Sequence, residues 1–211
     1  MKVAYFAESR ADQAALTILT EAILGKKTQS VDYKGLRNRS GWPTVRISLR
    51  PVLRELHYHS DAAGFVFIVD ANGTPPHLAS HEPPNARDPL CRLCQLRRIA
   101  DEVLQQVQPR QHQTPLKIAL GLAVPTIEAW LLSGVNPHIT EAAWINGMKA
   151  GQQPYTRPSL KNELYGTSHP SLAVETEAMK TAALRLAANL KNLEILFPHG
   201  FGALQNDLKR W

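Results

Sequence analysis

Three acidic residues stand where apolar runs give out. The run Gly64-Phe65-Val66-Phe67-Ile68-Val69 stops on Asp70, with Ala71, Asn72 and Gly73 behind it. Val3-Ala4-Tyr5-Phe6-Ala7 meets Glu8, and the run Lys117 to Ala123 is followed five residues on by Glu128. Runs this apolar suit strands of a parallel sheet covered on both faces. The carboxyl ends of such strands share one rim, and ligands settle in the crevice outside it. Carboxylates distant in sequence then meet, and they repel one another unless a cation neutralises them. Hard oxygen donors suit Mg²⁺ or Mn²⁺, and metal-assisted phosphoryl transfer is the chemistry that follows most directly. Each acid also has an ordinary reading. Glu8 serves as an exposed loop acid, Asp12 and Glu128 as first-turn helix acids, and Asp70-Ala71-Asn72-Gly73 as plain turn chemistry.

A second constellation is His77-x3-His81-x9-Cys91-x2-Cys94, four zinc-type ligands within eighteen residues. Zinc takes two such pairs when the fold brings them together, and a structural Zn²⁺ would help order a long proline-rich loop. The competing reading makes Cys91 and Cys94 small buried residues and leaves the histidines solvated. Two cysteines do not make a disulfide framework in a chain of 211 residues. His57 and His59 flank Tyr58, and they suit either phosphate contact or the C-terminal end of a helix. No Gly-rich phosphate loop, nucleophile elbow or His-Glu-x-x-His occurs, which argues against nucleotide hydrolysis and zinc-protease chemistry on this chain.

The elements that must position these residues follow from apolar spacing. Residues 11–24 carry apolar positions at helical intervals and close on Gly25. Residues 28–33 form a weak second strand, and 43–59 a helix that Pro51 must kink or divide. Residues 65–69 read as a strand, 72–89 as a loop with five prolines, 90–107 as an amphipathic helix, and 117–123 as a strand turning at once into a helix. Beyond residue 135 the chain is helical, with residues 172–196 as one long helix. The expectation is an α/β domain over residues 1–134, a mostly parallel sheet of about four strands with helices on both faces. A helical extension over 135–211 packs on the same domain.

The charge is uneven. Lys26, Lys27, Lys34, Arg37, Arg39, Arg46, Arg50 and Arg54 face Asp32 alone in their stretch, with Tyr33 and Trp42 among them. This suits a nucleic-acid partner held by counterion release and base stacking, and it equally suits a solvated basic face. With 44% hydrophobic and 20% charged residues the composition is ordinary for a globular protein. No apolar stretch reaches the length of about 18 residues that a membrane span needs. The short first apolar run does not make a secretory segment, so a cytoplasmic location and no membrane partner are expected.

The acids also carry a family resemblance. Glu8-Ser9-Arg10-Ala11-Asp12 resembles the first motif of Toprim domains of the OLD-nuclease branch, and Asp70-Ala71-Asn72 sits where that family has Asp-x-Asp. Ile127-Glu128-Ala129-Trp130-Leu131-Leu132 resembles the Glu-Ala-Trp helix of small stand-alone bacterial Toprim-like proteins, several linked to phage defence. Pro158-Ser159-Leu160-Lys161 is a loose counterpart of a following proline-lysine-leucine segment. The resemblance spans roughly residues 1 to 165. It implies a Toprim-like, Rossmann-like fold and Mg²⁺- or Mn²⁺-dependent chemistry on nucleic-acid phosphodiesters, as in an endonuclease of defence or DNA metabolism. It further implies Glu8 as a metal ligand and general base or acid, Asp70 as a ligand, Asp12 and Glu128 completing one or two metal sites, and Lys161 steadying phosphate charge. Asn72 departs from the pattern by removing a charge while keeping an amide oxygen. A catalytically inactive nucleic-acid-binding or sensor subunit is the alternative. A separate ATPase partner and a homodimer are the assemblies this reading admits.

Overall fold

The computed structural model describes residues 1–31, 42–110 and 114–211. Tyr33, Lys34, Arg37 and Arg39 of the basic stretch lie outside the described residues. The apolar runs become strands β1 (Lys2–Phe6), β2 (Gln29–Val31), β3 (Gly64–Asp70) and β4 (Lys117–Ala123). All pairings are parallel, in the order β2-β1-β3-β4. β3 is buried at every position because a strand lies on each side of it and helices cover both faces. Period-two alternation divides the side chains between two cores. Val3, Tyr5, Val66, Ile68 and Ala119 face one layer, and Ala4, Phe6, Phe65, Phe67 and Leu120 face the other.

The first layer holds α1 (Arg10–Leu24) and most of the chain beyond β4. α1 begins with a capping box, in which Ser9 Oγ accepts from the Asp12 N–H at 3.0 Å and Asp12 Oδ2 accepts from the Ser9 N–H at 2.9 Å. It ends at Gly25, whose φ of 62° is the left-handed conformation that closes a helix. The second layer holds α2 (Trp42–His59) and α3 (Arg92–Gln106). Pro51 does not divide α2. It sits on the exposed side of one continuous helix, where the missing N–H is least costly.

Beyond β4 follow α4 (Ile127–Leu131), α5 (Glu141–Lys149), α6 (Arg157–Tyr165), α7 (Leu172–Ala187), α8 (Leu190–Leu196) and α9 (Phe201–Lys209). The expected single helix over residues 172–196 is two helices. Asn189 leaves helical geometry, with φ −145° and ψ 57°, and its side chain accepts from the Asn192 N–H to start α8. Apolar spacing hides this break because Met179, Leu186 and Leu193 on both sides of it enter the same core.

α9 lies along the outer edge of β4. Asp207 Oδ2 accepts from the Leu120 N–H at 3.2 Å, supplying a partner that no further strand among the described residues provides. Phe201, Leu204 and Leu208 hold α9 there by burial, each contributing on the order of 1.5–3 kcal/mol. Among the described residues no helix is long and apolar enough to cross a membrane.

Candidate functional site

The strand order places the topological switch between β1 and β3, since the chain leaves β1 toward β2 and returns across it to β3. A crevice opens outside the strand ends at such a point. Phe6 pairs with Phe67, so Glu8, two residues past β1, stands level with the tip of β3, where Asp70 is the last strand residue. Asp70 in turn pairs with Ala123 at the end of β4. The first turn of α1 brings Asp12 to this rim, and the first turn of α4 brings Glu128.

Electrostatics show that the four acids converge. Asp70 is buried, and its carboxyl is pushed well above the usual range by burial first, then by Glu8, Asp12 and Glu128, with Arg157 pulling the other way. Asp12 is pushed up to about 7, first by burial and then by Glu128, against the hydrogen bonds from Ser9. One Asp70 oxygen accepts from the Ile127 N–H at 3.2 Å, and the other lies 3.7 Å from the Arg157 guanidinium. Glu128 is 3% exposed. Its Oε1 accepts from the Tyr165 hydroxyl at 3.4 Å and lies 3.9 Å from the Lys161 ammonium, while its Oε2 is buried with no hydrogen-bond partner. Lys161 also pairs with Glu175 at 2.9 Å. Burial, then Glu128, raises the Tyr165 hydroxyl.

Arg92 completes the rim. Its Nη1 donates to the Asp70 carbonyl oxygen at 2.6 Å, and its guanidinium lies 5.0 Å over the Trp42 ring. Burial lowers the Arg92 pKa, and the carboxylates of Glu8 and Asp70 oppose that shift. Among the described residues, five acids, Glu8, Asp12, Asp70, Glu128 and Glu175, thus face three cations, Arg92, Arg157 and Lys161. An acidic excess around a buried carboxylate oxygen without a partner fits a divalent cation of the hard class.

Asn72 is exposed, with φ 45° in a turn whose next residue, Gly73, also has positive φ. Asn adopts this conformation more readily than most residues, which is a backbone reason for its presence here. It is outside the interactions that join Asp70, Asp12 and Glu128.

Arg157, Arg92 and Tyr165 were not singled out from the sequence. Arg157 stands four residues before Lys161 on α6, and that spacing alone puts the two cations on one helix face. Arg92 carried no signal beyond lying inside Cys-x-x-Cys. His57 is buried, with Nε2 hydrogen-bonded to the Gln108 carbonyl oxygen at 2.8 Å, so it fills a structural position.

His77, His81, Cys91 and Cys94 form a group able to hold a metal ion, with one ligand atom from each lying within 4.8 Å of the others. Among the described residues it is the one such group gathered this tightly, and the rim carboxylates are more spread. His77 Nδ1 lies 3.7 Å from Cys91 Sγ and 3.5 Å from Cys94 Sγ. A tetrahedral zinc with usual bond lengths spaces nitrogen and sulfur by about 3.6 Å. His77 Nε2 faces Glu82 Oε1 at 3.1 Å, and Arg97 hydrogen-bonds the other Glu82 oxygen. His81 Nδ1 is buried with no hydrogen-bond partner, and its Nε2 faces Asp88 at 4.0 Å.

The reading with solvated histidines is corrected here. His77 is fully buried and the His81 side chain is 12% exposed, because the loop folds back onto the start of α3. Both thiols are free and buried. The hydrogen bond from Cys91, aided by His77, favours thiolate at Cys94, and the same bond raises Cys91.

Within the basic stretch, Arg46, Arg50 and Arg54 of α2 hydrogen-bond Gln95, Glu102 and Gln106 of α3. Lys27 pairs with Glu21 at 2.8 Å. Part of this charge therefore ties elements together. No protein-family model, no curated protein and no solved structure matches the chain.

Proposed function

We propose that the rim binds Mg²⁺ or Mn²⁺ and that the chain acts on nucleic-acid phosphodiesters, as an endonuclease component of bacterial defence or DNA metabolism. A cytoplasmic setting with a separate ATPase partner belongs to this reading. The observation that carries it is Asp70, a buried carboxyl at a topological switch point whose neighbours Glu8, Asp12 and Glu128 all repel its charge. Glu8, Asp12, Asp70 and Glu128 would hold the cation, with the Asn72 amide oxygen at the border of the set. A bound cation of this class polarises a phosphoryl oxygen and stabilises charge on it. The chain's own residues do the rest. Arg157 and Lys161, on one face of α6, attract the phosphate and steady the charge that develops on it. Glu8 is the exposed acid of the group and has room to accept a proton from water.

Incubation with plasmid and single-stranded DNA in Mg²⁺ and in Mn²⁺ tests this. Cleavage that falls at least about 100-fold in Glu8→Ala and in Asp70→Asn supports it. The inactive binding subunit is favoured by Arg157 and Lys161 already lying beside Asp70 and Glu128. DNA binding with no cleavage under either ion would establish that alternative.

The His77, His81, Cys91 and Cys94 group holds Zn²⁺ in this reading, as a closed structural site. Four protein ligands leave no open position for a substrate. Both histidines would ligate through Nδ1, with Glu82 bonded to His77 Nε2 and Asp88 4.0 Å from His81 Nε2, carboxylates on the side where they stand behind zinc-bound histidines.

A further inference from the structure

We infer that zinc in the His77, His81, Cys91 and Cys94 group holds Arg92 at the carboxylate rim as a phosphate-binding residue, so that loading of the zinc site governs nucleic-acid affinity in the crevice. The inference rests on the zinc and nucleic-acid readings above and assigns Arg92 a role that neither needs.

The geometry starts in the Cys-x-x-Cys itself. Cys91 is the N-cap of α3, and its side chain makes no capping hydrogen bond. The sulfur is turned instead toward His77. Arg92 is the next residue and projects to the rim, where Nη1 donates to the Asp70 carbonyl oxygen and the guanidinium lies over the Trp42 ring. Leu93 and Cys94 are fully buried. The first turn of α3 therefore has three fixings: ligands on one side, the apolar core beneath, and Arg92 reaching to Asp70.

Apart from the histidines, the loop that supplies them is held to α3 by two ion pairs with half-exposed acids, Glu82 with Arg97 and Arg87 with Asp101 at 2.6 Å. Its start is tied to β4 and the segment after it, by the Ala71 N–H to the Ala123 carbonyl at 2.8 Å and the Asn72 N–H to the Pro125 carbonyl at 3.2 Å. From residue 72 to residue 90 only His77 is buried. With so little apolar burial, metal binding would add much of this segment's order. Loss of zinc would leave the loop on its ion pairs and loosen the start of α3 at Cys91 and Cys94, and Arg92 with it.

Arg92 is partly exposed and serves Asp70 through Nη1, while its Nε is buried, so Nη2 is the edge of the fork left for an anion. Across the rim stand Arg157 and Lys161. A phosphodiester entering the crevice thus meets cations on both sides of the acids. Trp42, beneath Arg92, offers its ring to an adjoining base.

The test is a cycle of Arg92→Ala against zinc removal, with the full chain and a short fluorescent single-stranded oligodeoxynucleotide in Ca²⁺. Zinc is withdrawn with a zinc-selective chelator and counted by elemental analysis. Arg92→Ala is expected to keep its zinc, one per chain by elemental analysis. It should bind the oligonucleotide about tenfold more weakly, and the slope of log affinity against log salt should fall by about one phosphate contact. Zinc removal from the wild type should produce the same two losses, and zinc removal from Arg92→Ala should add little, since coupled residues are not additive. Equal further weakening of Arg92→Ala on zinc removal overturns the coupling. An unchanged affinity and salt slope in Arg92→Ala overturns the phosphate role, and a protein purified without zinc overturns the premise. Mn²⁺ affinity and cleavage, measured separately, report on the catalytic reading, which is able to fail while this cycle holds.

Discussion

At the residue scale the acidic rim and the His-Cys group follow opposite chemistry. The rim collects hard oxygens under mutual repulsion, and the His-Cys group collects softer donors, with the spacings from His77 to the two sulfurs close to those around a tetrahedral ion. Replacing one donor should separate these cases. Cys94→Ser exchanges a thiolate for a neutral hydroxyl and leaves Cys91, His77 and His81 facing an incomplete sphere. Zinc content should drop from one per chain to below about 0.1, and the melting temperature by about 5–10 °C, corresponding to a loss of about 3 kcal/mol in a chain of this size. Retained zinc with unchanged melting would show that the group is not a metal site. The ligand types were legible from spacing alone, but the burial of His77 was not. A loop rich in proline and polar residues gives no local sign that it folds back onto a helix.

The elements add constraints that no single side chain shows. α9 guards β4 at very close range. A Cβ on Gly200 would fall 2.2 Å from the Leu122 carbonyl oxygen and 3.1 Å from Glu141 Oε1. Gly200→Ala should therefore push α9 off the sheet edge and destabilise the fold by at least about 2 kcal/mol, read as a lower urea midpoint. A change under about 0.5 kcal/mol would mean that α9 docks elsewhere in solution. That the chain beyond residue 135 is helical was visible from sequence, yet the place of α9 on the edge of β4 was not, because helical character does not specify a helix's partner. The break at Asn189 escaped because apolar residues on both sides of it enter the same core, and Pro51 was tolerated because its side of α2 meets water.

Across the whole molecule, buried acids couple stability to pH. Asp12 rises from 3.8 to about 7 and Glu141 from 4.5 to about 7, burial being the first cause for both. Each binds its proton more tightly folded than unfolded. Its contribution is full below the unfolded value and is lost as pH rises through about 7. Asp12→Asn keeps an acceptor for the Ser9 N–H and removes the titration. Without added divalent ions, its melting temperature should therefore gain on the wild type as pH climbs from 4 to 7. Saturating Mg²⁺ at pH 8 should cancel that gain by neutralising Asp12 in the wild type. Glu141→Gln should show the pH-dependent gain and no response to Mg²⁺, because Glu141 accepts from the His199 N–H away from the rim. Parallel Mg²⁺ responses in both variants would place the cation elsewhere.

Order along the chain was enough to identify the parallel α/β class, the alternation that buries β3, and the acids at strand ends. These follow from apolar period and from the chirality of crossovers, which are local rules. The partners of those acids depended on packing. Arg157, Lys161 and Tyr165 approach from a helix more than eighty residues beyond β3, and Arg92 reaches the rim from the start of α3, bonding the Asp70 carbonyl oxygen. Coulombic interaction and metal coordination act over distance in space, so only the folded chain decides which charges meet.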